Sequence, residues 1–100
     1  MTDETVGEVL ARALDAYEDL GSLGEEVEDE WTYVTDLQST WRERFDEVVA
    51  GRGAEPVDPR AAAAVALAIA EIGRIEDPHR AIDWLSTFPQ VVLLAVGEAE

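Results

Sequence analysis

Ten consecutive residues with no charged or hydrogen-bonding side chain, Ala61 to Ala70 (AAAAVALAIA), constrain this chain more than any other feature. Alanine and leucine favour helix, and the segment is apolar around its whole circumference, so a helix here predicts burial by neighbours on nearly every side. On that reasoning it is the central post of an all-α, single-domain bundle of four to five helices, with two acidic N-terminal helices packed on it. One hundred residues with 47% apolar content are sufficient for one compact core. The apolar run is far shorter than the roughly 20 residues that span a bilayer. The opening Met1-Thr2-Asp3-Glu4 lacks the basic and apolar segments of a secretory signal, so the expected location is the cytoplasm.

Apolar positions at Val6, Val9, Leu10, Ala13, Leu14, Tyr17 and Leu20 follow a three-and-four spacing, which predicts an amphipathic helix over 3–20 with Asp3 and Glu4 in its first turn and Gly21 as a left-handed stop. Ser22 and Glu25 have the spacing of a capping box, so a second helix is expected to start near Leu23. It presents Val27, Trp31, Val34, Leu37, Trp41, Phe45 and Val48 on one face and ends at Gly51 and Gly53, with Thr32, Thr35 and Thr40 favouring a bend between Thr35 and Thr40. Residues 1–50 thus read as an acidic helical hairpin and 51–57 as a loop hinging it to the rest. In 58–100, Asp58-Pro59 and Asp77-Pro78 each pair an N-cap oxygen with a proline at the first helical position. They predict helices over 59–75 and from 78 to about Thr87. Phe88-Pro89 is expected to break the chain before a short terminal helix that stops at Gly97; Val91 to Val96 alone also fits a buried strand.

The charge excludes more than it identifies. Twenty-three acids face seven bases, for a net −16 at pH 7. The first half holds 15 acids and 3 arginines, the second 8 acids and 4 arginines. A polyanion of this kind is repelled by nucleic-acid backbones and anionic membrane surfaces, so neither is an expected partner. Cysteine is absent and His79 is the single histidine, which removes disulfides, thiolate chemistry and most imidazole constellations. Lysine and asparagine are also absent while alanine and valine dominate the apolar set. By composition alone the chain resembles small acidic haloarchaeal proteins, a resemblance that implies a salt-adapted surface and no particular activity. In molar salt the Debye length falls to about 3 Å and distant carboxylates cease to repel.

The tests for chemistry are negative. The run Glu25-Glu26-Val27-Glu28-Asp29-Glu30 lacks the glycine and the downstream bidentate glutamate of a calcium loop. Glu76-x-x-His79 followed by Asp83 has the spacing of one half of a di-iron motif, and the chain has no second half. Ser22, Ser39 and Ser86 have no histidine at a motif spacing, and no glycine pattern cradles phosphate. No cofactor, metal or catalytic residue is expected. What remains is a possible interaction surface: Ala62, Ala66 and Ala70 at four-residue spacing, which permit close helix approach, and Trp31, Trp41 and Trp84, whose default role is core packing. The leading expectation is a non-enzymatic module that binds an unknown protein partner or its own second copy through the alanine-rich and C-terminal helices. The alternatives are an acidic nucleic-acid mimic that neutralises a basic partner and, last, a carboxylate-based metal enzyme.

Overall fold

In the computed structural model, which describes residues 4–98, the spaced apolar residues at the start of the chain point inward: Val6, Val9, Leu10, Ala13, Tyr17 and Leu20 are buried and Leu14 is partly buried on one helix, α1, Val6–Gly24. A single 3-10 turn, Glu28–Glu30, leads into α2, Trp31–Arg52; α3 spans Pro59–Ile72 and α4 Pro78–Ala95. Among the described residues there is no strand, and the fold is an all-α bundle of four helices. The radius of gyration, 13.4 Å, matches the roughly 13 Å of a folded chain of this length. No helix is long and apolar enough to cross a membrane.

The centre of the bundle is the α1–α4 pair, and this corrects the placement of the alanine-rich helix. Gly24 lies against Ile82 and Leu85, and Tyr17 against Leu85 and Phe88, so the two helices run antiparallel. Both also touch α2 and α3, which flank the pair and make little contact with each other. Only Val65 and Ile72 of α3 are fully buried. Seven of the ten residues in the apolar run are alanine, and one methyl offers little burial energy at about 0.8 kcal/mol per carbon. The larger side chains of α1 and α4 therefore take the interior.

Proline does not break α4. Phe88-Pro89 sits inside a continuous helix, so the expected fourth and fifth helices are one and the strand alternative over 91–96 falls. The missing amide of Pro89 frees the carbonyl four residues back, that of Leu85. The Tyr17 hydroxyl donates to that same oxygen at 2.7 Å in the buried interior. The Tyr17 ring also stacks on Phe88, with centroids 6.3 Å apart and planes 12° from parallel. A defect created within one helix is thus closed by a side chain from another.

The helix ends show where local signals succeed and where they compete. Asp58 accepts from the Arg60 amide at 2.7 Å and Asp77 from the His79 amide at 3.0 Å, each ahead of its proline, as read from the sequence. Gly97 adopts φ 85° and closes a Schellman motif, in which the Glu98 amide bonds Leu93 and the Gly97 amide bonds Leu94. At α1 the cap is instead Thr5, in a capping box with Glu8; Glu4 precedes the helix and Asp3 lies outside the described residues. Gly21 is no stop: it lies inside α1, where the Gln38 side chain fills the space a Cβ would occupy. The Ser22 box does not form, because the Ser22 hydroxyl bonds back to the Glu18 carbonyl, and α2 begins at Trp31, not Leu23. Thr35 and Thr40 bond back to Thr32 and Asp36 within an uninterrupted helix, which continues through Gly51, while α3 ends at Ile72.

The expected hinge is a clamp. The segment after α2 runs antiparallel to the start of α1, with an isolated bridge between Thr5 and Pro56. The Val6 amide bonds the Glu55 carbonyl at 2.9 Å, the Gly7 amide bonds Gly53 at 3.0 Å, and the Val57 amide returns to Glu4 at 2.8 Å. The first two of these bonds satisfy first-turn amides of α1 that a helix leaves unpaired. Arg52, at the end of α2, donates to the Val96 carbonyl at 3.0 Å and pairs with Glu98 at 2.8 Å and Glu55 at 3.2 Å. The bonds to Glu98 first and then Glu55 hold its guanidinium above the ordinary arginine range.

Two measurements test the central seam. Tyr17→Phe leaves the buried Leu85 carbonyl without a donor and is expected to cost about 1–3 kcal/mol in denaturant unfolding. In a Pro89→Ala background, where residue 89 regains an amide, the same substitution is expected to cost markedly less; equal costs in both backgrounds refute the coupling. Burial pushes the Tyr17 phenol well above its usual value, with Tyr33 a smaller contributor. The unfolded chain releases that proton near pH 10 while the folded chain retains it, so this stabilisation is complete below about pH 10 and is lost as pH rises from there toward the folded value. Denaturation midpoints across pH 9–11 are expected to fall more steeply for the wild type than for Tyr17→Phe.

Candidate functional site

A helix whose inner stripe is Val65 and Ile72, with Ala61, Ala62, Ala68 and Ile69 packed beside them, must turn its other side to solvent. On α3 that outer side carries Arg60, Ala63, Ala64, Leu67, Ala70 and Glu71. Leu67 is 68% exposed, an apolar side chain standing free on a strongly acidic protein. From Pro59 to Ala70 the helix has one charge, Arg60, and it is positive. Beyond Asp83, α4 is uncharged as well, and there Leu94 is 66% exposed and Val91 also reaches solvent. With Trp31, Tyr33 and Val49, these three are the large apolar side chains that the described residues expose on a strongly acidic protein.

The residues singled out from the sequence are not brought together. Ala62 is half-buried against the core, whereas Ala66 and Ala70 are exposed. Four residues advance a helix by 400°, so each step rolls the side chain about 40° around the axis, and the trio passes from the core edge to solvent. Trp41 and Trp84 pack partly against the core. Trp31 is 54% exposed and Tyr33 48%, directly after the exposed Glu28, Asp29 and Glu30. The sequence reading missed Leu67 and its flanking charges. Their signal was available as Arg60-x3-Ala64-x2-Leu67-x3-Glu71, a stripe at i, i+4, i+7 and i+11 bounded by opposite charges.

Other features of the surface offer less chemistry. The acidic run lies beyond α1, in the turn that follows it and in the 3-10 turn Glu28–Glu30. Among the described residues no three acidic or imidazole side chains are gathered so as to hold a metal ion. His79 contributes its backbone amide to the Asp77 cap and stands exposed, as do Glu76 and Asp83. An open groove of ≈ 300 Å³ between α1 and α3 is lined mainly by Ala16, Leu20, Leu23, Ile69 and Ile75, with Asp19 its one acidic residue. No described residue with a charged side chain is buried, and no buried side-chain nitrogen or oxygen lacks a partner. Every acidic group that is described therefore meets solvent. Comparison with protein-family models, with curated proteins and with solved structures finds no match.

Proposed function

We propose that this protein is a non-enzymatic interaction module that docks through the outer face of α3, supported by the exposed Val91 and Leu94 of α4, in a salt-rich cytosol. The observation that carries the reading is Leu67, held in solvent on a helix face that has no charge between Arg60 and Glu71, on a chain of net charge −16. An apolar helix face rimmed by charged groups, here Arg60 and Glu71, is a form that protein interfaces take. Contacts made there are mainly apolar, and apolar contact is not weakened as ionic strength rises. A second reading, an acidic surface that neutralises a basic partner, draws on Trp31 and Tyr33, which stand exposed beside Glu28, Asp29 and Glu30. Aromatic faces and carboxylates together suit arginine side chains. The readings part on salt, since only the second loses affinity steeply as KCl rises.

Leu67→Glu is the direct test. Its side chain is exposed, so helicity and melting are expected to stay within about 0.5 kcal/mol of the wild type, while concentration-dependent association, or capture of another protein from a lysate in molar KCl, is expected to disappear. The docking reading fails if association and capture are both absent in the wild type or unaffected by the substitution. Salt adaptation is tested separately: the unfolding temperature is expected to rise strongly between dilute buffer and molar KCl as carboxylate repulsion is screened. A flat profile refutes it.

A further inference from the structure

We infer that the outer face of α3 pairs with the same face of a second copy, the two helices antiparallel about a twofold axis passing between Val65 and Ala66. The inference rests on the docking role proposed for this face and names its occupant. Two copies of this chain bring together two charges of −16, so they approach best where carboxylates are sparse, and α3 from Pro59 to Ala70 has none.

The stripe also has the symmetry that self-pairing requires. A twofold interface is self-complementary: if residue i meets residue j of the other copy, j meets i. At 100° per residue, Arg60, Ala64, Leu67 and Glu71 fall within about 60° of arc on the exposed side, and all four are exposed. With the axis between Val65 and Ala66, each residue faces the one equally far on the other side. Arg60 meets the partner's Glu71, and Ala64 meets the partner's Leu67. A leucine then covers an alanine twice, and two ion pairs of opposite sign bracket the apolar centre, each pair about 8 Å along the axis from the dyad.

The competing intramolecular contact is weak. Glu71 approaches Arg74 at 3.9 Å with both side chains largely exposed, and Arg60 forms no ion pair among the described residues. Register follows from the charges: sliding one helix by a turn, or making the pair parallel, loses the Arg60–Glu71 match. A single helix face of this length buries less than the roughly 800 Å² per partner of a standard interface, so the dimer is weak and reversible.

Charge reversal tests both partner and register. Sedimentation is measured up to millimolar protein in the lowest KCl concentration at which circular dichroism shows the full helical signal, with that signal checked for every variant. The wild type is expected to show a monomer–dimer equilibrium, Arg60→Glu and Glu71→Arg each to weaken it about tenfold, and the double variant to recover to within about threefold of the wild type. A wild type that stays monomeric overturns the inference, as does a double variant no better than the single ones. If the monomeric wild type still captures a different protein in a Leu67-dependent manner, the docking role stands and the second copy is excluded as occupant. If it captures nothing, both fall.

Discussion

A carbonyl without its amide partner organises this bundle. Pro89 lies in the middle of α4 and cannot donate to the Leu85 oxygen, and that oxygen is buried, where an unpaired acceptor costs about 1–3 kcal/mol. The Tyr17 hydroxyl supplies the missing donor from α1, and the tyrosine ring lies on Phe88 one helical turn further along α4. Hydrogen bond and stacked pair together set the axial register of α1 against α4. With that register set, Gly24 comes against Leu85 and Ile82, and the valines and leucines of the two helices close the interior. α2 and α3 then attach to the flanks of an already determined pair.

The ends of the pair are secured by the chain that connects its flanks. The segment between α2 and α3 supplies the carbonyls of Gly53 and Glu55 to the first amides of α1, and Arg52 joins the end of α2 to the end of α4. A cation at that point also suits the negative end of the α4 dipole. Because no described charged residue is buried, cohesion is apolar and the acidity belongs to the surface. α3, which fully buries only Val65 and Ile72, is left with an apolar outer face, and this is what separates the core from the proposed interface.

Much of the helical pattern was legible because its signals are local. The spacing of Val6 through Leu20 identifies the buried stripe of α1, and the two Asp-Pro pairs and Gly97 mark helix ends through bonds that reach only a few residues. Thr5 with Glu8 is equally local, but Asp3 and Glu4, whose charges suit a first turn, placed the expected start before it. The candidate surface was legible only in part. The alanine-rich segment pointed to the helix that carries the candidate surface, but the choice of Ala62, Ala66 and Ala70 followed a spacing that drifts around the axis, and Leu67 was read as interior.

Local chemistry in this chain determined which segments are helical and where most of them begin, since capping and periodicity depend on neighbours within about one turn. Which helix occupies the centre, whether Pro89 breaks or merely perforates its helix, and whether Gly21 ends a helix or admits Gln38 were decided only by tertiary packing. Each of those outcomes depends on a side chain far away in sequence: Tyr17 reaches a carbonyl 68 residues on, and burial goes to whichever helices offer the most apolar area. An alanine surface yields too little of that area to compete for the interior.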